Sequence, residues 1–251
     1  MRAPDQDLGS QQHKLATVQY DLRITNLASF LLSKARNIVT SQSPTLLDVG
    51  AGNGLFLKFF KSHGFTVRGY ELEAELVKNM QKDPELKGVT VEQGDITKLK
   101  GKAEYDVVIA SDVIEHIEDD VKAIQGLYTF VKPGGMLLIT VPGHSYLYGK
   151  RDVMWGHFRR YDQHVLLDHI KQAIGDSNYE IAFATQWNII GFFVYGFFEK
   201  ILHKPINEKM RYSNSPVSRF TRFVLDRILK LEQWLGGVPL GLTQVVGVMK
   251  K

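Results

Sequence analysis

A glycine-rich turn that directly follows a short apolar run constrains the fold of this chain more than any other feature. The run Leu46-Leu47-Asp48-Val49 leads into glycines at positions 50, 52 and 54, and a helical pattern starts at Leu55. Glycines allow a sharp turn and the close approach of a ligand to the backbone, and the N-terminus of the next helix favours electron-rich groups. The pattern predicts a strand–turn–helix unit that binds a nucleotide-like ligand.

The spacing of these glycines excludes two common types of nucleotide site. A dinucleotide site has the pattern G-x-G-x-x-G, so a third glycine would stand at position 55, where the chain has Leu55. A P-loop would require Gly-Lys followed by Ser or Thr, and no such sequence follows the turn. Neither of these two sites is therefore expected.

Short apolar runs alternate with helical stretches after the N-terminal region. The predicted strands are Thr45–Gly50, Thr66–Tyr70, Val89–Gln93, Asp106–Ala110, Met136–Val141, Glu180–Gln186 and Thr243–Met249. The predicted helices of the same part are Leu55–His63, Ala74–Lys82, Val121–Val131, His164–Ile174 and Val217–Leu235. This alternation is typical of an α/β fold, expected here as a seven-stranded, mostly parallel sheet with helices on both faces.

The same patterns divide the chain into four segments. Residues 1–44 form an N-terminal helical segment, because apolar positions recur at helical spacing between 11 and 40. Residues 45–186 form the core of the fold. Residues 187–237 are rich in aromatic side chains and are predicted to form a helical cap, inserted before the final core strand in residues 238–251.

The segment Asp48 to Gly54 reads D-x-G-x-G-x-G and resembles the first motif of class I S-adenosylmethionine-dependent methyltransferases. Further landmarks of that family follow in order. They are Glu71 at the end of the second strand, Gly94-Asp95-Ile96 after the third, Asp112-Val113-Ile114-Glu115-His116-Ile117 after the fourth, and a turn, Lys132-Pro133-Gly134-Gly135, before the fifth. Because they agree in order from Leu46 to Pro142, the resemblance implies the Rossmann-like fold of this family.

The resemblance implies S-adenosyl-L-methionine as the cofactor and also assigns residues to its site. In this family the acidic residue at the position of Glu71 holds the two ribose hydroxyls, a task that suits a carboxylate because it accepts two hydrogen bonds at once. The residue at the position of Asp95 lies beside the adenine amino group. The candidate cofactor-binding residues are Asp48, Gly50, Ala51, Gly52, Gly54, Glu71, Leu72, Asp95, Ile96 and Ser111.

The segment from Gly143 to Tyr161 is unusually dense in His, Arg, Tyr and Trp for a solvent loop. It follows the fifth strand, near the place where ligands enter this type of sheet. Gly156 to Tyr161 resembles the G-H-x-R-R-Y sequence of a bacterial methyltransferase subgroup, and the more distant quinone-biosynthesis O-methyltransferases also place a His in this stretch. His157 is therefore a candidate general base, since the unperturbed imidazole pKa of about 6.5 suits proton removal near neutrality.

The same segment supplies the candidate substrate-binding residues Arg159, Arg160 and Tyr161, because guanidinium groups bind phosphate or carboxylate. The alternative is that the two arginines pair with nearby acids, such as Asp152 and Asp162, and hold the loop in place. The residue types do not decide between these two roles.

His116 is the second candidate catalytic residue, because it lies in the segment after the fourth strand. Its alternative role is packing against the cofactor loop, with a hydrogen bond to the neighbouring Glu115. No metal is expected, since the chain has no cysteine and no dedicated set of acidic ligands is evident.

The aromatic segment bears on the acceptor and on the partners. A helix over residues 187–198 would be apolar nearly all round. This fits a buried helix of the cap or of a homodimer interface, and it also fits a wall for a lipid-like or aromatic acceptor or peripheral membrane contact through residues 187–204. No apolar run reaches the roughly 18 residues of a membrane span. The net charge is +4 but no basic stripe is evident, so a nucleic-acid partner is not expected.

The resemblance implies methyl transfer, and an oxygen of a small-molecule or lipid-linked metabolite is the expected acceptor. The expected location is the cytoplasm, with peripheral contact at the inner face of the membrane as an open alternative. A fold does not by itself establish catalysis. A catalytically silent S-adenosylmethionine-binding protein, or an interaction protein at the membrane periphery, is therefore the alternative function.

Overall fold

The computed structural model describes residues 22–202 and 215–251. The strands of these residues are β1 (Thr45–Val49), β2 (Thr66–Glu71), β3 (Thr90–Gln93), β4 (Tyr105–Ser111), β5 (Val131–Pro142), β6 (Tyr179–Trp187) and β7 (Thr243–Lys250). The α-helices are α1 (Leu22–Arg36), α2 (Leu55–Ser62), α3 (Ala74–Lys82), α4 (Asp120–Thr129), α5 (Lys150–Met154), α6 (Gln163–Ile174), α7 (Ile189–Gly196) and α8 (Pro216–Trp234). The prediction of helix before residue 22 lies outside the described residues, as does the part of the cap prediction that falls on residues 203–214.

The strands form one sheet in the order β3-β2-β1-β4-β5-β7-β6. The strands from β3 to β5 pair in parallel, and β7 runs antiparallel between β5 and β6. The predicted seven-stranded, mostly parallel sheet is thereby confirmed. Because the strand order reverses between β1 and β4, a crevice opens at the carboxyl ends of these two strands, where open α/β sheets bind their ligands.

Both faces of the sheet are covered by helices, as β1 illustrates. Successive side chains of a strand point to opposite faces. Leu46 packs in the apolar cluster that contains residues of α1 and α2, whereas Leu47 packs in the cluster that contains residues of α4 and α6, and both leucines are fully buried. Each such burial contributes ~1.5–3 kcal/mol to folding. These two layers fix the end of β1, and therefore the start of the glycine turn.

The turn predicted over Lys132–Gly135 is wrong, because these residues belong to β5. Val131 pairs with Tyr105 at the start of the strand, and the regular ladder resumes at Val107, so the residues between them form a bulge. Gly134 adopts a φ of 75° in this bulge, a conformation that glycine accepts without steric cost. Proline and glycine do mark an irregular backbone at these positions, but pairing with β4 makes the irregularity part of a strand instead of a separate turn.

Within the described residues, the α-helices α7 and α8 lie between β6 and β7 along the chain. Helix α8 packs on α1, where Asn26 donates a hydrogen bond to Asp226 (3.1 Å). Glu232 of α8 accepts hydrogen bonds from the backbone N–H groups of Asn188 (2.6 Å) and Ile189 (3.0 Å), and so satisfies the N-terminus of α7. No helix within the described residues is long and apolar enough to cross a membrane.

The predicted boundary of the aromatic segment differs from the observed one by a residue. Trp187 was expected to begin the cap, but it is the last residue of β6 and is fully buried in the sheet. The helix begins only after Asn188, whose side chain accepts a hydrogen bond from the Gly191 N–H (2.9 Å). A buried aromatic residue at the end of an edge strand is indistinguishable in sequence from the start of an apolar helix.

Candidate active site

The glycine turn after β1 forms an open cradle at the sheet edge. Gly50, Gly52 and Gly54 have φ values of 78°, 57° and 77°, which side chains disfavour. A Cβ atom at Gly50 would lie 2.4 Å from Val113, so this position must be glycine, whereas a Cβ at Gly52 would meet nothing within 4 Å. The turn therefore leaves free space above its own backbone.

Glu71 ends β2 beside this cradle and is largely buried. Its Oε2 accepts a hydrogen bond from the Gly52 N–H (2.7 Å), and its Oε1 accepts one from the Glu73 N–H (3.0 Å). Each carboxylate oxygen has a second lone pair for a ligand hydroxyl. The next residue, Leu72, is 57% exposed and adds an apolar surface at the same point.

Asp48 is the last residue but one of β1, and it is only 1% exposed. Its Oδ2 has no hydrogen-bond partner among the described residues. Burial, together with the charge of Glu71, raises the pKa of Asp48 to about 7. A buried carboxyl with an unpaired oxygen next to an open glycine cradle is suited to receive a polar ligand group.

The other predicted cofactor residues lie at the ends of β3 and β4. The Gly94 N–H donates to the Glu71 carbonyl (2.9 Å), which places Asp95 and Ile96 beside the end of β2. Hydrogen bonds from Thr97 lower the pKa of Asp95, so its carboxylate is ionised. Ser111 ends β4 and hydrogen-bonds with Thr140 of β5 (2.8 Å). Strand pairing therefore brings all of the predicted cofactor residues to one edge of the sheet, which we call the cofactor edge.

Residues 143–162, here called the acceptor loop, leave and rejoin the same point of the fold. Gly143 pairs with Tyr161 in a β-bridge, and the Tyr161 N–H donates to the Pro142 carbonyl (2.9 Å). The His144 N–H donates in turn to the Tyr161 carbonyl (3.0 Å). Because its two ends are bonded to each other, the segment is a compact loop beside the end of β5.

Asp152 organises the acceptor loop from a buried position. It accepts hydrogen bonds from the Gly149 N–H (3.0 Å), from His157 Nδ1 (2.9 Å), from Arg160 Nε (2.8 and 2.9 Å) and from the Tyr195 hydroxyl (2.9 Å). Burial by itself would raise the pKa of Asp152, but the bonds from His157 and Arg160 outweigh it and hold the pKa well below its usual range. Asp152 therefore carries a permanent negative charge that ties the loop to the cap helix α7.

A second buried carboxylate, Asp120 at the start of α4, holds the other end of the loop. It accepts hydrogen bonds from the Tyr161 hydroxyl (2.6 Å) and from His169 Nδ1 (2.8 Å), and it pairs with Arg159 Nη1 (2.9 Å). Burial opposes ionisation, yet the bonds from Tyr161 and His169 lower the pKa of Asp120. Arg159 also donates to the Glu118 carbonyl (2.7 Å).

These contacts favour the structural alternative for most of the predicted substrate residues. Arg160 is buried against Asp152 and stacks over the Tyr195 ring at 4.2 Å, and Tyr161 is fully buried. Arg159 keeps 29% of its side chain exposed and is the member of the set that a substrate can still reach. Asp162, the other acid considered from the sequence, instead accepts hydrogen bonds from Ser145.

Sequence reasoning missed Asp120 and Tyr195 as partners of this loop. Asp120 lies 41 residues before Tyr161, and Tyr195 lies 43 residues after Asp152. No local pattern marks such pairs. The charge imbalance of the arginine-rich loop was the available signal, since buried arginines require carboxylates from elsewhere in the fold.

Both predicted catalytic histidines meet at this edge of the sheet. His116 and His157 lie ring against ring, with centroids 4.6 Å apart and planes at 87°. Together with Glu115 they offer ligand atoms within 4.8 Å of one another, and we call these three residues the histidine cluster. The surrounding protein and the adjacent His157 lower the pKa of His116 to about 4, so its imidazole is neutral near pH 7.

Glu115 is the most unusual member of the histidine cluster. It is fully buried, and neither of its carboxylate oxygens has a hydrogen-bond partner among the described residues. Burial and the nearby Asp112 raise its pKa well above the usual range. The predicted hydrogen bond from His116 to Glu115 is not among its contacts, which leaves the carboxyl group available for another partner.

Comparison with protein families identifies one matching model. Residues 19–182, more than half of the chain, match a family described as a methyltransferase domain. Among curated proteins, a ubiquinone biosynthesis O-methyltransferase of Rickettsia canadensis is 33% identical over 97 residues, which are 38% of this chain and 41% of that protein. A protein of the same name from Coxiella burnetii is 28% identical over 112 residues, 43% of this chain and 47% of that one. The matches thus span less than half the length of these relatives.

Solved structures agree with the fold. A TehB-like S-adenosylmethionine-dependent methyltransferase of Corynebacterium glutamicum superposes with a TM-score of 0.55 at 14% identity, over 97% of this chain and 96% of that one. A phosphoethanolamine N-methyltransferase 2 of Haemonchus contortus, in complex with S-adenosyl-L-methionine, has a TM-score of 0.55 at 20% identity over 88% of this chain and 52% of that one. At such identities the likeness shows the shared α/β fold.

Proposed function

This chain belongs to the methyltransferase domain family, and we propose that it transfers the methyl group of S-adenosyl-L-methionine to a hydroxyl oxygen of a small, lipid-linked metabolite. The cofactor is the one that the family and the neighbouring structures support. The O-methyltransferase names of the curated relatives support oxygen as the acceptor atom, although the matches cover only part of those proteins.

The observation that carries the proposal is the fit of the cofactor edge to an adenosine. The cradle over Gly52 is open, and the Glu71 carboxylate beside it has lone pairs free for two ribose hydroxyls. Leu72 supplies an apolar surface, and the unpaired oxygen of Asp48 supplies a polar group in the same crevice. In this assignment Asp95 and Ile96 lie on the adenine side and Ser111 lies at the end of β4. When bound, the cofactor supplies an electrophilic methyl group on a sulfonium.

The acceptor oxygen is assigned to the side of the crevice that carries the histidine cluster. A hydroxyl must lose its proton as it is methylated, and this assistance is assigned to His116 and His157. Asp152 holds His157 through Nδ1, so Nε2 is the atom left to act on the acceptor. Arg159, with part of its guanidinium exposed, is assigned to an anionic group of the acceptor. Arg160 and Tyr161 are assigned to the support of the loop.

The lipid-linked character of the acceptor rests on helix α8, whose apolar side faces outward. Its exposed apolar residues recur at helical spacing and form what we call the α8 stripe: Val217, Phe220, Val224, Leu231 and Trp234, exposed by 68%, 69%, 38%, 53% and 80%. The opposite side of the helix, with Leu229 and Glu232, is buried. A soluble helix normally packs its apolar stripe inward.

Charge complementarity supports an anionic lipid surface as the proposed occupant of the α8 stripe. Arg219, Arg227 and Lys230 are exposed on the same helix, and Arg227 lies 5.0 Å from the ring of Phe223. An exposed stripe of aromatic and aliphatic residues flanked by basic side chains is typical of a helix lying in the plane of a membrane interface. The earlier prediction of membrane contact through residues 187–204 is kept as a secondary contact, since Phe193 and Phe197 of that segment are exposed.

The test of methyl transfer uses cofactor carrying a labelled methyl group and two acceptor pools, a lipid extract and an aqueous metabolite extract. We expect label in the lipid fraction, at an oxygen when located by mass spectrometry, and loss of label for His157→Ala. Binding of S-adenosylhomocysteine without labelled product in either pool would instead support a catalytically silent binding protein. Label confined to the aqueous pool would contradict the lipid-linked acceptor.

The test of membrane contact uses sedimentation with vesicles of phosphatidylcholine alone or with added phosphatidylglycerol. We expect binding to the anionic vesicles, and at least a tenfold weaker partition for the double variant Phe220→Ser and Trp234→Ser, since two buried aromatic side chains are lost. Thr221→Ser, exposed on the same helix outside the stripe, is the matched control. Dimerisation that this double variant abolishes, without vesicle binding by the parent, would assign the stripe to a second copy of the chain.

A further inference from the structure

The histidine cluster has the ligand types of a metal site. The 3-10 turn Ile114–His116 follows β4 and presents Glu115 and His116, while the acceptor loop returns His157 to the same point. The Phe158 N–H donates to the Glu115 carbonyl (2.8 Å), which fixes the two segments to each other beside the cluster. Two imidazoles and one carboxylate are the donor set of many divalent transition-metal sites.

The imidazole of His157 is already oriented by an acceptor on its other side. It is held through Nδ1 by the Asp152 carboxylate (2.9 Å). Asp152 is itself fixed by Arg160. A carboxylate or carbonyl that binds the second ring nitrogen is the usual outer partner of a metal-bound histidine, because it fixes the tautomer and the ring orientation.

The third member of the cluster lacks a hydrogen-bond partner within the described part of the chain. Glu115 is fully buried, and both of its carboxylate oxygens are without hydrogen bonds among the described residues. Such a group is costly to bury unless a cation or a proton compensates it. His157 cannot supply a donor from Nδ1, because Asp152 already occupies that nitrogen. A cation between the carboxylate and one ring nitrogen of each histidine would satisfy all three residues at once, since their ligand atoms lie within 4.8 Å of one another.

We propose that Glu115, His116 and His157 bind one divalent transition-metal ion, for which Zn²⁺ is the reference cation. Two nitrogen ligands favour such an ion over Mg²⁺ and Ca²⁺, which prefer all-oxygen sites. Three protein ligands leave a coordination position open for a further oxygen. This assignment replaces the expectation of no metal, which rested on the lack of an acidic cluster along the sequence.

The role of the ion rests on the proposed function, whereas its binding does not. The ion polarises the acceptor hydroxyl and lowers its pKa, so that the proton leaves to solvent. An oxygen lone pair then forms the new O–CH3 bond, and the electrons of the broken S–CH3 bond remain on sulfur. In this role His157 is a metal ligand rather than a free general base, and its test need not depend on turnover.

Metal binding is tested directly on tag-free protein that has been stripped with a chelator. Titration with Zn²⁺ followed by calorimetry, and with Co²⁺ followed by its visible absorption, should give one ion per chain. Glu115→Gln keeps the shape of the side chain and removes its charge, and it should weaken binding at least tenfold. His157→Gln should do the same, whereas His164→Gln, an exposed histidine outside the cluster, should bind as the parent does.

Thermal unfolding separates lost binding from lost folding. At a hundredfold excess over the parent's dissociation constant, Zn²⁺ should raise the melting temperature of the parent by roughly 5–10 °C. Because Glu115→Gln binds at least tenfold more weakly, its melting temperature should rise by at most about half as much. Binding of S-adenosylhomocysteine by metal-free parent and by Glu115→Gln is measured in parallel, so that failure of the cofactor site is seen separately. Zinc binding that Glu115→Gln does not weaken, or no binding by the parent, would overturn the metal site.

Discussion

The cofactor edge and the acceptor loop lie at the same end of one sheet, yet they are held together by different forces. The cofactor edge is shaped by backbone, with glycines in left-handed conformations and a carboxylate, Glu71, bonded to main-chain N–H groups. The acceptor loop is shaped by buried charge, with Asp152 and Asp120 each binding several side chains. The first arrangement depends on main-chain conformation, whereas the second depends on contacts between side chains, of which that between Tyr161 and Asp120 joins residues 41 apart in sequence.

The largest expected effect comes from removing the charge at the centre of the acceptor loop. Asp152→Ala leaves Arg160 buried without its partner, so the free energy of unfolding should fall by ~3–5 kcal/mol in urea denaturation. Asp162→Ala, at the more exposed carboxylate of the same loop, should cost at most about 1 kcal/mol. Because the cofactor edge does not use Asp152, folded Asp152→Ala should bind S-adenosylhomocysteine as the parent does. A loss of S-adenosylhomocysteine affinity in folded Asp152→Ala would show that the two regions are not independent.

The cofactor edge contains one buried carboxyl that weakens the fold as the pH rises. The folded pKa of Asp48, about 7, lies above its ordinary value near 3.9, so the folded state holds the proton more tightly than the unfolded state. The stability that Asp48 contributes is fully present below about pH 4. It decreases as the pH rises to about 7, and the total loss is roughly 4 kcal/mol. The stability of Asp48→Asn relative to the parent should therefore increase between pH 5 and pH 7 and then level off. A difference that is constant over this range would contradict the raised pKa.

A smaller effect is expected where the cofactor edge binds its ligand. Glu71→Ala removes the carboxylate assigned to the ribose hydroxyls and should weaken S-adenosylhomocysteine binding by roughly 1–3 kcal/mol in calorimetry. Glu73→Ala serves as the control, because only its backbone N–H takes part in the contact with Glu71. Unchanged affinity in Glu71→Ala would mean that the carboxylate only shapes the turn.

The smallest expected effect concerns the link between the acceptor loop and the cap. Tyr195→Phe removes one hydrogen bond to Asp152 and retains the aromatic ring under the Arg160 guanidinium. The free energy of unfolding should fall by only ~0.5–1.5 kcal/mol, because the other donors to Asp152 remain. A decrease in the free energy of unfolding as large as that of Asp152→Ala would mean that the hydrogen bond from Tyr195 is the main contact that holds the acceptor loop.

The contrast between the two regions also explains which features the sequence predicted. The order of strands and helices and the convergence of Glu71 with the glycine turn follow from short-range spacing and from parallel pairing, so both were predictable. Asp152 was predicted as one possible partner of the arginines, and it pairs with Arg160. The partner of Arg159 and Tyr161 was not predictable, because Asp120 lies about 40 residues away and ion pairing leaves no periodic pattern. The bulge at Lys132–Gly135 was taken for a turn, since glycine and proline mark both.

The position of β7 has a consequence for the order in which the protein can assemble during synthesis. This strand is the last of the described strands to leave the ribosome, yet it lies between β5 and β6. Until it emerges, β5 and β6 have no common neighbour, and the main-chain hydrogen-bonding groups of one side of β5 are unpaired. The strands β1 to β4, by contrast, pair with chain that has already been made. In a nascent chain that is stalled before residue 243, the glycine turn should therefore be protected from proteolysis while the acceptor loop is still cleaved.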